Sequence, residues 1–261
     1  MVKIVTGYSG LGGSTLSFIN LTNHLNKLGI ECKLFGRDSW HLDKCNAGNT
    51  DDVALMPDDT LVAHFIRLNH RQPVKKVILV LHENKPAYDV ASIKPFWDVV
   101  VFINERHRNL HAEYRGAFRV IPNLIDDFHP TSNVGLEKIA GVIGSIEVRK
   151  QTHISIERAL KDGCEKVILF GSIGEQEYFD EVVAPLLSDN VIYSGVEENR
   201  QKIYESVGRV YLSSISEVAP TSVRTECEQT NTLFFGNEES VAVEQNLTNG
   251  EILKLWKELL L

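Results

Sequence analysis

The chain has 261 residues, 43% hydrophobic and 24% charged, enough for one large α/β domain or two of roughly 125 residues each. A net charge of −8 disfavours duplex nucleic acid as a partner, and no apolar run reaches the roughly 18 residues of a transmembrane helix. Four cysteines (Cys32, Cys45, Cys164, Cys227) without a C-x-x-C pair read as reduced thiols of a cytoplasmic protein, and strand pattern from Val2 leaves no room for a signal peptide.

Strand-like apolar runs recur at 2–6, 31–36, 60–65, 76–82, 98–103 and 118–122. Between the first two lies a helix with Phe18, Leu21, Leu25 and Leu28 on one face, Ser14 placed to cap it and Gly29 to end it. The unbroken Val/Ile/Leu runs predict strands buried on both faces of a parallel sheet. The stretch PNLIDDFHPTSNVG (122–135) breaks this alternation and reads as a linker, assigned to 126–135. Strands then resume at 138–144, 166–171, 190–195, 209–213 and 232–236, with helices from Thr152 to about Lys161 and near 175–187, 198–206 and 221–229. The last residues predict an amphipathic helix carrying Ile252, Leu253, Trp256 and Leu259 or Leu260 on its apolar side. The expected fold class is α/β, two Rossmann-like βαβ domains facing a cleft. The first spans 1–125 and the second 136–247, and the last helix occupies 248–261.

The glycine-rich turn from Gly7 to Gly13, between a strand and a helix, can be read in several ways. A P-loop needs G-x-x-x-x-G-K-[ST], and no lysine follows Gly12 and Gly13. A dinucleotide site is closer, with Asp38 available for ribose hydroxyls, but no Tyr-x-x-x-Lys pair follows. A tight turn without a ligand is the plainest reading.

A series of motifs in order supplies a further one. RVIPNLIDDFHP (119–130) resembles the V-I-P-N-G-V-D…F-x-P segment of retaining glycosyltransferases with the GT-B fold, the large "group 1" family. GYSGLGGSTLS, DDTLVAHF, VILVLHENKP and VVVFINERHRNL resemble successive first-domain motifs of that family. GVIGSIEVRKQTHISIERAL, VILFGSIGEQEY and NVIYSGVEENRQKIYESVGRVYLSSISE resemble those of its second domain. The resemblance runs from Met1 to about Phe235, and it implies that the helix at 248–261 packs back on the first domain. It implies transfer of a sugar from a nucleoside-diphosphate donor to an acceptor hydroxyl, with retention of configuration and neither cofactor nor metal. The acceptor is expected to be a carbohydrate or glycolipid, with membrane association at most peripheral.

The resemblance also implies roles for residues. Lys150 stands at the family's phosphate-binding lysine. The arginine five residues earlier is Ser145 here, and Arg149 is a displaced substitute. Glu217 is placed near the donor sugar, and Glu226 at the carboxylate that accepts the ribose hydroxyls. They lie nine apart, one residue more than the family's pair, and Glu228 falls on another helical face. Gly12 and Gly13 would let backbone approach the donor. Eight of the nine histidines lie in the first 130 residues. His82 would contact the transferred sugar or acceptor, with His64 and Glu83 beside it. His107 and His111, on what reads as a surface helix, carry no functional assignment. The missing arginine keeps open a nucleotide-sugar-binding homologue with little turnover, and behind it an NAD-dependent oxidoreductase.

Overall fold

The computed structural model describes residues 1–7, 13–37, 42–66, 68–83, 87–217, 222–238 and 247–261. Gly12 and Asp38, both weighed above, lie outside them. The chain divides into two compact units, one formed by Met1–Ile125 with Asn246–Leu261 and the other by Asp126–Gln245.

The first unit is built on a seven-stranded, wholly parallel sheet. Its strands are β1 (Val2–Thr6), β2 (Cys32–Gly36), β3 (Ala47–Asn49), β4 (Thr60–His64), β5 (Lys76–Val80), β6 (Val99–Phe102) and β7 (Phe118–Val120), in the order β3-β2-β1-β4-β5-β6-β7. Every residue of β1 and β4 is buried, because both faces of the sheet are covered. Alternate residues go to opposite sides: Val62, Ile78 and Val80 join one core, and Leu61, Ala63, Val77 and Leu79 the other. The first core is closed by α1 (Gly13–Lys27) and the C-terminal helix, labelled α7 below. The second is closed by irregular chain carrying Tyr88, Val90, Trp97 and Tyr114, with Trp97 Nε1 donating to the Tyr114 hydroxyl at 3.1 Å. Among the described residues no α-helix separates β4 from β5 or β5 from β6.

Three local expectations change here. Helix α1 begins at Gly13, so Ser14 lies inside its first turn rather than at a cap. Leu28 is 52% exposed, because the helix ends at Lys27 and Gly29 takes a left-handed φ of 76°. His107 and His111 on α2 (Glu105–Leu110) and its C-cap are 0% and 1% exposed, so the surface reading of this helix is corrected. Their Nε2 atoms turn inward to the Glu83 carbonyl at 2.8 and 3.3 Å.

The second unit carries β8 (Ile139–Ile143), β9 (Lys166–Phe170), β10 (Val191–Gly195), β11 (Arg209–Leu212) and β12 (Leu233–Gly236), all parallel, in the order β10-β9-β8-β11-β12. Helix α3 (Thr152–Lys161) packs Ile156 and Ala159 on one face. On the other, α5 (Arg200–Ser206) and α6 (Ser222–Thr230) contribute Ile203, Tyr204, Val223 and Cys227. The helix expected near 175–187 is instead a short α4 (Gln176–Tyr178), a π turn over Phe179–Val183 and a 3₁₀ turn over Ala184–Leu186. Pro185 in that last turn lacks the N–H a regular helix would use. Residues Phe128 and Thr131 bond into α6 and its end, through Gln229 Oε1 and the Thr230 carbonyl.

The last helix, α7 (Asn249–Leu260), starts with a capping box: Thr248 Oγ1 accepts from the Glu251 N–H, and the Glu251 carboxylate accepts from the Thr248 N–H. Its buried stripe of Ile252, Trp256, Leu259 and Leu260 joins the core of α1. Asn249 pairs with the backbone of Ile125 in both directions, at 3.0 and 2.7 Å.

Candidate functional site

In an open parallel sheet, ligand sites form at the carboxyl ends of the strands where the strand order reverses. The second unit reverses between β8 and β11. Beyond β8 the chain runs through Gly144 (φ 140°) and Ser145 to a 3₁₀ turn, Val148–Lys150, and then α3. Beyond β11 it runs through Ser213 and Ser214 to Glu217. The two segments are tied by the Ile215 N–H, which donates to the Arg149 carbonyl at 3.0 Å.

This junction brings Arg149, Lys150 and Glu217 together. Lys150 Nζ donates to Glu217 Oε1 at 2.5 Å, and Arg149 Nη1 lies 3.6 Å from the same oxygen. Arg149 also donates to the Ser216 carbonyl at 2.8 Å and to Glu147 Oε1 at 2.6 Å. Two cations and two carboxylates therefore balance, with Glu217 and Lys150 mostly covered (side chains 11% and 17% exposed) and Arg149 more open at 42%. A small cavity at the end of β8 is lined by Gly144, Ser145, Ile146, Lys150, Thr152 and Leu212. The glycines of FGSIG shape its wall. A Cβ on Gly171 would overlap the Gly144 carbonyl, and one on Gly174 would overlap Ser145 Oγ. The start of α3 is occupied by the protein itself: the Tyr178 hydroxyl lies 3.4 Å from the His153 N–H and 2.7 Å from His153 Nδ1.

Glu226 lies elsewhere, on the inward face of α6. It is 1% exposed, with Oε1 paired to Arg200 and Oε2 accepting from the Tyr204 hydroxyl at 2.6 Å. Arg200 also approaches Asp126 at 3.6 Å and lies over the Phe128 ring at 5.6 Å. The expectation that Glu226 accepts ribose hydroxyls meets a carboxylate whose two oxygens already serve Arg200 and Tyr204. Burial of Tyr204 pushes its hydroxyl pKa well above the ordinary value, so it remains a donor to that carboxylate.

The first unit reverses its strand order between β1 and β4, and a second polar cluster collects there. His64, 0% exposed, places Nδ1 2.8 Å from Thr6 Oγ1 and Nε2 2.8 Å from Glu83 Oε1. Glu83 Oε2 accepts from the His82 N–H at 3.1 Å. Burial works against ionisation of Glu83, but the bonds from His64 and His82 hold its pKa below the ordinary carboxylate range. The half-buried His82 ring is 2.9 Å from Asn123 Oδ1, and desolvation with the neighbouring His64 pushes its pKa down to about 3. His82 and His64 therefore stand together with Glu83. His64 presents no surface, so any effect it has on a ligand passes through Glu83.

Of the glycine turn, Gly7 and Gly13 are among the described residues. A Cβ on Gly7 would overlap the Phe65 carbonyl oxygen, so this glycine serves the close approach of β1 to β4. Gly13 is exposed at the start of α1, with nothing near where a Cβ would stand. Gly12 lies outside the described residues. Glu147, Arg200, Tyr204, Asn123 and Ser17 escaped sequence reading, since each partner lies far away along the chain or carries no motif of its own. Among the described residues no three His, Cys, Asp or Glu side chains converge as metal ligands would.

No family model matches the sequence, and no curated protein matches it. Solved structures do. Anabaena HepE, determined with UDP and glucose, is 15% identical with a TM-score of 0.71, covering 98% of this chain and 88% of its own. WaaG, a glycosyltransferase involved in lipopolysaccharide biosynthesis, is 10% identical at 0.66, covering 100% and 90%. Sucrose-phosphate synthase from Thermosynechococcus elongatus is 12% identical at 0.66, covering 90% and 81%. The chain thus has the GT-B fold, built of two Rossmann-like α/β units.

Proposed function

We propose that the protein is a glycosyltransferase that moves a sugar from a nucleoside-diphosphate donor to an acceptor hydroxyl, with retention of configuration. The observation that carries this reading is the convergence of Arg149, Lys150 and Glu217 at the strand-order reversal of the second unit. Structures of the same fold solved with UDP and with UDP-glucose support it.

Glycosyl transfer needs the charge that develops on the departing diphosphate to be met by fixed cations. Lys150 and Arg149 are positioned for this, one by the 3₁₀ turn and the other by the Ser216 carbonyl. A bound diphosphate takes over Lys150 from Glu217, and Glu217 is then free to accept from a hydroxyl of the donor sugar. The acceptor, a carbohydrate or glycolipid, is the partner of the first unit, where Glu83 and His82 meet it beyond the end of β5. The departing phosphate takes the acceptor proton, which requires no separate base. Gly13 at the head of α1 leaves backbone accessible to the donor, and Glu226 acts by fixing α5 to α6. We place the protein in the cytoplasm, with no more than peripheral contact with a membrane.

A second reading, a nucleotide-sugar-binding protein with little turnover, draws on Ser145 at the arginine position and on the Arg200–Glu226 pair. One experiment separates the two. A thermal-shift screen of UDP, GDP, ADP, CMP, dTDP and NAD(H) finds the base, since ligand at about a hundred times Kd adds roughly 2.7 kcal/mol. Transfer or hydrolysis of the matching nucleotide sugar then reports turnover. Stabilisation by NAD(H) alone would refute the proposal, and nucleotide binding without turnover would select the second reading.

A further inference from the structure

Two residues beyond β5, the His82 ring stands edge-on to Phe18 (5.2 Å, 85°) and to His64 (5.0 Å, 77°). Its side-chain hydrogen bond comes from the far end of the unit. Nε2 lies 2.9 Å from Asn123 Oδ1, and Ser17 Oγ on α1 donates to the same oxygen, also at 2.9 Å. Nδ1 is buried and has no hydrogen-bond partner among the described residues. Asn123 itself is held over the sheet because Ile121 and Leu124 on either side pack into the core shared by α1 and α7.

This arrangement decides where the imidazole proton sits. An amide oxygen that accepts from both Ser17 and His82 requires the proton on Nε2 and leaves Nδ1 a lone pair. Turning the amide over would put its NH₂ between the two groups and drive the proton to Nδ1, a buried donor with nothing to receive it. A buried unpaired N–H is rarer and costs more than an under-used acceptor. We propose that Asn123, held by Ser17, is a positioning residue that locks His82 in the Nε2–H tautomer, so that the ring has no free proton to give a substrate.

That the ring stands beside a bound ligand rests on the glycosyl-transfer reading; the tautomer is a property of the protein alone. The titratable groups facing His82 are His64 and Glu83 at the strand ends and His107 on α2. Burial and His64 outweigh the Glu83 charge and the Asn123 bond, keeping the ring neutral at physiological pH. A neutral ring with Nε2 committed to Asn123 gives no proton to a leaving group.

Long-range ¹H–¹⁵N spectra of histidine-labelled protein, with His82 assigned through His82→Gln, test this directly. The wild-type ring should carry its proton on Nε2 and keep it there, without titrating, between about pH 5 and pH 8. Asn123→Ala should move the tautomer ratio about five- to tenfold, the worth of one hydrogen bond, and Ser17→Ala should move it the same way by less. Asn123→Asp keeps an accepting oxygen and adds charge, so the Nε2 proton should stay and the ring's titration should move upward. A wild-type ring protonated on Nδ1, or titrating near the ordinary imidazole value, would overturn the proposal whether or not the variants fold. So would an unchanged tautomer ratio in a folded Asn123→Ala. A confirmed tautomer in a protein that transfers no sugar would instead refute the functional reading and leave the positioning role intact.

Discussion

Mild acid should destabilise the first unit through its buried histidines, well before its carboxylates titrate. Burial pushes the pKa of His82 to about 3 and that of His107 to about 4, against an ordinary imidazole value of 6.5. For His107 the neighbouring His111 adds to the depression, while its bond to the Glu83 carbonyl opposes it. Above the ordinary value both folded and unfolded chains hold neutral rings, and the effect vanishes. Below it the unfolded chain takes up protons that the folded one refuses, so stability falls with pH until about pH 4 for His107 and about pH 3 for His82. At about pH 5 each ring sits roughly 1.5 pH units below its unfolded pKa, which is about 2 kcal/mol per histidine and about 4 kcal/mol for the pair. That is a large part of the roughly 5–15 kcal/mol that holds a typical domain together. The window lies above the ordinary carboxylate value of 4.5, so Glu83, whose depressed pKa makes its contribution disappear only at lower pH, does not confuse the result. Trp97 and Trp256, 7% and 4% exposed in this unit, report the urea transition by fluorescence. His107→Gln keeps a donor for the Glu83 carbonyl and removes the titration, so it should lose about half as much stability as wild type between pH 7 and about pH 5. Equal stability at the two pH values, or a wild-type pH slope in His107→Gln, would refute the reasoning.

Lys150→Ala removes a charge-assisted bond and should weaken nucleoside-diphosphate binding about ten- to a hundredfold while the fold is kept; unchanged affinity by calorimetry would take Lys150 out of the site. Glu226→Gln leaves Arg200 with Ser222 Oγ at 3.2 Å and the Asp126 carboxylate at 3.6 Å and should cost about 3 kcal/mol, the low end for breaking a buried pair. A Tm equal to wild type would show that the pair contributes nothing. Gly7→Ala forces a methyl against the Phe65 carbonyl and should destabilise by about 1–3 kcal/mol, whereas Gly13→Ala, with open space around it, should be near neutral in the same melt.

The strands were legible in the sequence because a strand covered on both faces is apolar at most consecutive positions, and VKIVT, KVILV and KVILF announce that without knowledge of their neighbours. The apolar stripe of the last helix was legible for a similar reason, since Ile252 and Trp256 recur at helical spacing. The three-residue β3, reading AGN, carries no such signal and exists only through its register with β2. Arg149 and Lys150 could be singled out from a motif, but their meeting with Glu217, 67 residues on, depends on β8 lying beside β11.

Burial and pairing were beyond the sequence altogether. His107 and His111 have the polar composition of a surface helix, and only the Glu83 carbonyl waiting beneath them turns them inward. Glu226 looks from its own neighbourhood like a carboxylate available to a ligand, until Arg200 and Tyr204 arrive from another helix to claim both its oxygens. The chain's local chemistry determined which segments become strands and helices, because hydrophobic period and turn residues act within a few positions. The protonation state and freedom of each polar side chain were decided by the tertiary structure, because desolvation and hydrogen-bond partners come from residues distant in the chain.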